Sequence, residues 1–250
     1  MENKNPNLRS KGEKLSLFLS FLLITLTAII VFQISIWLIL IAVLLQLIYV
    51  AVSQKQLIGN SLLVTEVQFP DIYEIAKENA KQLNIKKPKI FLYQDPFINA
   101  YTIGFFPPYS IVLNSALVEA LSRDELDFVI GHEMGHIRYG HAKFLSLISP
   151  IGRNIPFLSW LYSGWQRKSE YTADRVGYVV TDKIIPVISA MIKMTVGLKL
   201  SKLVNMDELI KQIQESDSGL LTKSGELLLT HPYTTNRINA LVAFCKFGEK

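Results

Sequence analysis

The chain has 250 residues, half of them apolar and 19% charged, with 26 basic residues against 21 acidic for a net charge of +5 and a mean hydropathy of +0.28. That composition excludes a disordered or fully solvated protein, and the length excludes a large multidomain assembly while leaving room for one good-sized domain plus membrane segments. A single cysteine, Cys245, rules out an intrachain disulfide framework and a cysteine-based zinc site, so any metal chemistry falls to histidines and carboxylates.

Residues 1–14 form a short basic flank, with Lys4, Arg9, Lys11 and Lys14 against Glu2 and Glu13. From Leu15 to Gln54 there is then no Asp, Glu, Lys or Arg. This run far exceeds the ~7–15 apolar residues of a secretory signal, and no small-residue cleavage site follows it, so it reads as a retained membrane segment. One helix of that length, at ~1.5 Å per residue, would reach ~60 Å, twice a ~30 Å hydrocarbon core. Two spans, 15–32 and 36–52, reversing near 33–35, fit better. The turn lacks Gly, Pro and Asn, which keeps a single tilted span continuing into a buried helix as the alternative. In the hairpin both chain ends lie on one side. Lys14 and Lys55 flank it and the turn carries no basic residue, so the positive-inside rule assigns the larger part of the chain to the cytoplasm.

From about residue 59 to 250 the texture is that of a globular α+β domain. An amphipathic helix is expected over 71–83. Strands are expected over 89–93, 99–102 and 110–113, separated by Asp95-Pro96 and Pro107-Pro108 and forming a small antiparallel sheet. Ser122 and Glu125 make a capping box that opens a helix through Ile137, stopping near Gly140. Further helices are expected over 168–181, 184–200 and 236–247. The basic residues are scattered, with only Lys86, Lys87 and Lys89 close together and no nucleic-acid motif beside them, so nucleic acid is not an expected partner.

Inside the capped helix stands His132-Glu133-Met134-Gly135-His136. Four-residue spacing places both imidazoles on one helical face, one turn apart, where they can converge on a single ion, while Glu133 can reach a water there without ligating. A catalytic zinc needs a third protein ligand. By helical projection His141, five residues past His136 and beyond the expected helix end, points elsewhere and reads as a surface residue. Glu170 and Asp174, one turn apart on the next expected helix, are the better source: one carboxylate can bind metal while the other orients a ligand imidazole. Taken alone, the same pair also suits a solvated helix face. His231 before Pro232 reads on its own as a loop histidine, and Arg237 as a surface or carboxylate-paired arginine.

Taken together, Asp95 to Tyr101, Leu121 to Leu126, His132 to His136, Glu170 to Asp174, and Thr230-His231-Pro232 with Arg237 resemble the HtpX-like zinc metalloproteases, a family that embraces the CAAX prenyl endopeptidases. The resemblance spans about 69–241, in the family's order. It implies a mainly helical zincin domain of the gluzincin type holding one Zn2+ per chain, with Glu170 as third ligand and Asp174 as the partner behind a ligand. It further implies Glu133 as catalytic base and His231 as stabiliser of the reaction's oxyanion. Asn99, Ala100 and Tyr101 would hold the substrate backbone, with Arg237 near the active site among the substrate-binding residues.

The apolar stretch 144–165 resembles a further span by hydropathy. If His136 and Glu170 bind one ion, however, the number of full spans between them is even, and twenty-two residues cannot supply two of ~20 each. Interruption by Pro150, Gly152, Arg153, Asn154 and Pro156 suits an interfacial or re-entrant element, or a lid over the cleft.

The functional expectation is a membrane-anchored zinc endopeptidase acting on membrane-associated or misfolded polypeptides, the substrate being implied by the resemblance. A prenyl-peptide protease would find little membrane region here to enclose a lipid. The alternatives are a non-catalytic membrane adaptor with a structural zinc, which has no need of a base at Glu133, and a zinc aminopeptidase, for which no acidic amine-binding motif is evident.

Overall fold

The computed structural model describes residues 9–33, 36–104, 107–144, 156–216 and 231–247. Two apolar helices lead: α1, Glu13–Phe32, and α2, Ile36–Gly59. Twenty residues make α1 ~30 Å long. Its side chains are mostly exposed, Glu13 and Ser20 being the buried ones. Both helices outrun the expected spans, starting at 13 and ending at 59, while residues 34 and 35 of the expected turn lie outside the described residues.

The sheet corrects the expected all-antiparallel arrangement: it is mixed. Four strands, β1 (Ser61–Leu63), β2 (Lys89–Tyr93), β3 (Ala100–Ile103) and β4 (Ser110–Asn114), lie in the order β1-β2-β4-β3. β3 and β4 pair antiparallel, with Ala100 opposite Leu113. The chain leaving β2 passes to the outer position first and returns as β4 between β2 and β3. β2 and β4 therefore run parallel, Lys89 opposite Ser110 and Tyr93 opposite Asn114. The continuous apolar run of β4 suits this central place, since Ile111, Val112 and Leu113 have no exposure. β1, which hydropathy alone did not mark, pairs antiparallel with β2. β3 is left at the edge, against the helix that carries the histidines.

Four helices, α3 to α6, follow among the described residues, and α5 lies against that edge. In α3, Pro70–Gln82, one face buries Ile72, Ile75, Ala76, Asn79 and Ala80. α4, Ser115–Ala120, leads into α5, Arg123–Arg138, whose N-terminus carries the expected capping box: Ser122 accepts from the Glu125 N–H and Glu125 accepts from the Ser122 N–H. The Glu125 carboxylate also accepts from Ser189 at 2.6 Å and from Lys193 at 2.7 Å, tying the start of α5 to a later helix. α6, Pro156–Thr181, begins earlier than the expected 168. Of the apolar stretch 144–165, residues 145–155 lie outside the described residues, and 156–165 form the first turns of α6.

α5 and α6 make the most extensive helix contact in the fold, and small residues set its closeness. A Cβ on Gly131 would meet the Cα of Gly177 at 3.1 Å, and one on Gly135 would meet the Cα of Ala173 at 3.1 Å. A Cβ on Gly177 would stand 2.8 Å from the Phe128 carbonyl oxygen, so that position admits no side chain without a shift of backbone. Among the described residues the remaining helices are α7 (Ile184–Ser201), α8 (Met206–Ser216) and α9 (Thr234–Phe247). By length and composition α1 and α7 could each cross a membrane, but Val187, Ala190 and Met191 of α7 are buried in the domain core.

Candidate metal centre

The close approach of α5 and α6 decides where the polar side chains beside those glycines meet. His132 and His136 follow Gly131 and Gly135 on α5; Glu170 and Asp174 sit one turn apart on α6. His132 Nε2 and His136 Nε2 are 3.2 Å apart, Glu170 Oε2 is 3.5 Å from the first, and Glu170 Oε1 is 3.6 Å from the second. All three residues are buried, and their ligand atoms lie within 4.8 Å of one another. Ligand atoms ~2.0–2.2 Å from a tetrahedral ion stand ~3.3 Å apart, so the histidine pair and the Glu170 carboxylate, which faces each imidazole with a different oxygen, are near the spacing a zinc ion requires. The donor set fits as well: two imidazoles and a carboxylate match a borderline-soft divalent ion, and among the described residues these three are the group with such spacing.

Each group's environment follows from burial and charge. Burial pulls His132 down, but the Asp174 and Glu170 carboxylates outweigh it and raise it to about 10. His136 is held well below its ordinary value, mainly by burial. Burial alone would raise Glu170 and Asp174, yet both are lowered, Glu170 by His132, His231, His136 and Arg237, and Asp174 by Arg237 and His132. A buried pair of carboxylates that draws in positive charge this way is the electrostatic setting of a cation site.

Behind His132, Asp174 Oδ1 lies 3.0 Å from Nδ1. Asp174 is itself gripped by Arg237, whose Nε donates to Oδ2 at 2.8 Å and Nη2 to Oδ1 at 2.6 Å, while Nη1 stands 3.6 Å from Glu170 Oε2. This two-point fork commits most of the guanidinium to Asp174. Glu133, buried next to His132, has its pKa raised chiefly by burial. The hydroxyl of Thr102 lies 2.7 Å from Glu133 Oε2 and donates to it. Thr102 comes from β3, and no sequence pattern singled it out.

His231 stands before α9, with Nδ1 3.4 Å from Glu170 Oε1 and its ring largely exposed to solvent; the contact with Glu170 raises its pKa. Ala100 and Tyr101 open β3, and the Asn99 carbonyl accepts from the Asn114 N–H at 3.0 Å, so these residues lie on the strand that runs past α5. His141 is a correction. It is 1% exposed, not a surface residue, and its Nδ1 lies 3.1 Å from His136 Nδ1. The physical reason is Gly140, whose φ of 77° breaks the helical phase after Tyr139 and turns the chain back under His136.

The model of peptidase family M48 matches residues 66–161 and 144–244, well over half of the chain. Plastoglobule-localized metallopeptidase 48 of Arabidopsis thaliana is 30% identical over 174 residues, covering 64% of this chain and 50% of that protein. A protease HtpX homolog of Streptococcus uberis is 28% identical over 151 residues, covering 54% of this chain and 50% of the relative. The crystal structure of Ste24p from S. mikatae aligns with a TM-score of 0.48 at 18% identity, over 84% of this chain and 57% of that one. The chain thus spans about half the length of the curated relatives it matches.

Proposed function

We propose, from the premise that the chain belongs to peptidase family M48, that it is a membrane-anchored zinc endopeptidase. The observation that carries this reading is Glu133. It sits beside the His132, His136 and Glu170 group, buried, with one carboxylate oxygen held by Thr102. A structural zinc site has no use for such a residue, which counts against the adaptor alternative.

Zinc held by His132, His136 and Glu170 supplies Lewis acidity toward a scissile carbonyl and toward water. With Oε2 engaged by Thr102, Glu133 Oε1 takes the proton from the attacking water and then delivers it to the leaving amine. Burial raises the Glu133 pKa, which improves its match to that two-way traffic. His231, 3.4 Å from Glu170 and facing solvent, donates to the negative oxygen that develops on the substrate, a contribution of order 10²–10³ in rate. β3 lies at the sheet edge, so Asn99, Ala100 and Tyr101 offer backbone to an extended peptide by strand addition, which reads shape more than side-chain identity. Arg237 acts through Asp174, fixing His132 in the tautomer that presents Nε2.

On this reading residues 1–14 are a flank, 15–52 the membrane segment as a helical hairpin and 59–250 the metallopeptidase domain, lying on the cytoplasmic side beside Lys14 and Lys55. The exposed apolar surface of α1 supports the anchoring. The substrates are membrane-associated or misfolded polypeptides, as the resemblance to the HtpX-like proteases implies; the first turn of α1, packed on the domain, supports the membrane-associated part.

The test is hydrolysis of casein by the full chain in detergent, with and without a zinc chelator, beside Glu133→Gln. Chelator-sensitive cleavage that Glu133→Gln abolishes while retaining one zinc is the expected result. Zinc binding with no hydrolysis in the wild type would establish the adaptor instead.

A further inference from the structure

The two ligand histidines rest on different supports. His132 meets a carboxylate directly, at Asp174. His136 reaches one through an intermediary: its Nδ1 lies 3.1 Å from His141 Nδ1, and His141 Nε2 lies 3.0 Å from Glu13 Oε1. Glu13 and His141 are separated by 128 residues in sequence, and they are 2% and 1% exposed.

Counting protons gives this chain one direction. A ligating Nε2 on His136 carries no proton, so the proton of the neutral ring is on Nδ1. Two Nδ1 atoms in contact share a single proton, which makes His141 Nδ1 the acceptor. The neutral His141 ring then keeps its own proton on Nε2 and donates it to Glu13. A carboxylate only accepts, so the sequence of hydrogen bonds terminates there. Tautomer and contact agree at every step, from metal ligand to acid.

Glu13, like Asp174, is held on more than one side. Thr172 of α6 donates its hydroxyl to Glu13 Oε2, and the Arg9 guanidinium stands 3.6 Å from Oε1. The Ser10 N–H donates to Thr172 Oγ1 at 3.1 Å, and the Arg9 carbonyl accepts from Arg175 Nη1 at 2.9 Å. The Arg9 guanidinium also lies 4.8 Å from the centre of the Tyr139 ring. About two turns further along α1, aromatic packing continues the seam. Phe21 meets Phe144 edge-on at 5.2 Å, Phe144 meets Trp165 at 5.5 Å, and Trp165 meets the His141 ring at 5.7 Å.

We infer that Glu13, in the first turn of the membrane helix α1, is a positioning residue of the metal centre that orients His136 through His141, so that the seating of the anchor and the geometry of the zinc site form one linked structure. This rests on the reading of His132, His136 and Glu170 as zinc ligands. Its consequence is that an anchor helix shifted from its seat withdraws the acceptor of His141 and frees the His136 ring to rotate.

The experiment uses the full chain in detergent, with Zn2+ and Co2+ as probes. One equivalent of Zn2+ bound by the wild type and lost in Glu170→Ala tests the ligand reading, and failure there removes the site whatever Glu13 does. With that in hand, Glu13→Ala is expected to raise the Zn2+ dissociation constant by about 10–100-fold and to shift the visible d–d bands of the Co2+ form, with a smaller change in Glu13→Gln. A residue that only braces the fold would lower the melting temperature and leave those bands in place. Zn2+ affinity within about twofold of wild type and an unaltered Co2+ spectrum in Glu13→Ala would overturn the inference. Should that variant fail to fold, ¹⁵N-histidine NMR of the zinc-loaded wild type decides: His141 as the Nε2–H tautomer supports the relay, and His141 as the Nδ1–H tautomer overturns it.

Discussion

The seam between α5 and α6 and the seam between α1 and the domain both end on the metal ligands, but they are built on opposite principles. The first is backbone against backbone. At Gly131, Gly135, Ala173 and Gly177 the two helices approach backbone to backbone, with the Val176, Val180 and Phe128 side chains packed over the glycines, and the ligand residues beside them converge because the helices cannot stand further apart without opening a void. The second is a polar plug with an aromatic extension: Glu13 on His141 and Thr172, then Phe21 on Phe144, along a helix whose other side chains are mostly exposed. Close packing fixes distance, whereas the polar plug fixes orientation. The site therefore takes its spacing from the domain interior, while α1 reaches it through the Glu13 and His141 side chains.

Several substitutions would break or sharpen that contrast. The largest effect is expected at the chemistry itself, where Glu133→Gln lowers kcat by about 10²–10⁴-fold while atomic emission still finds one zinc per chain. Turnover near wild type in that variant would discard Glu133 as the base. Next comes Glu170→Ala, which removes one of three ligands and is expected to lower zinc content at matched free metal; unchanged stoichiometry would take Glu170 out of the site. Asp174→Asn keeps the shape but offers Arg237 and His132 a neutral partner, and it is expected to weaken zinc about 10–100-fold by chelator competition. On the packed seam, Gly177→Ala drives a methyl into the Phe128 carbonyl and ring. A loss of about 1–3 kcal/mol in chemical denaturation is expected, together with weaker zinc binding, because the added atoms push Glu170 away from the histidines. The smallest effect is on the anchor seam: Phe21→Ala deletes one edge-on ring contact and is expected to cost about 0.5–1.5 kcal/mol beyond lost area, with zinc affinity nearly kept while Glu13 stays in place. If Phe21→Ala instead matched Gly177→Ala in both readouts, the two seams would not differ as argued.

The same contrast explains what could be read in the sequence. Periodicity within one helix is local, so the His132/His136 pair, the Glu170/Asp174 pair and the Ser122/Glu125 capping box were all visible before any fold was known. That the two pairs share one ion follows from the Gly131 and Gly177 approach, a tertiary matter that spacing alone does not encode. The parallel pairing of β2 with β4 was hidden for a similar reason. Strands consecutive in the chain suggest a meander, and only the return of β4 inside β3 reverses that pairing. Thr102 was invisible because a lone threonine in a strand has no signature. His141 was misplaced because helical projection assumes that the helix continues, and Gly140 ends it. Glu13 looked like one more charge in a basic flank; its partners lie on the chain segment after α5 and on α6.

Because Gly131, Gly135 and Gly177 sit where α5 meets α6, the spacing of the ligand helices admits no larger residue at those three positions without a shift. Changes at the β3 edge or around His231, away from that contact, can then accumulate over evolutionary time while the spacing of His132, His136 and Glu170 stays as it is. Such a division lets one metal centre stand beside many different surfaces.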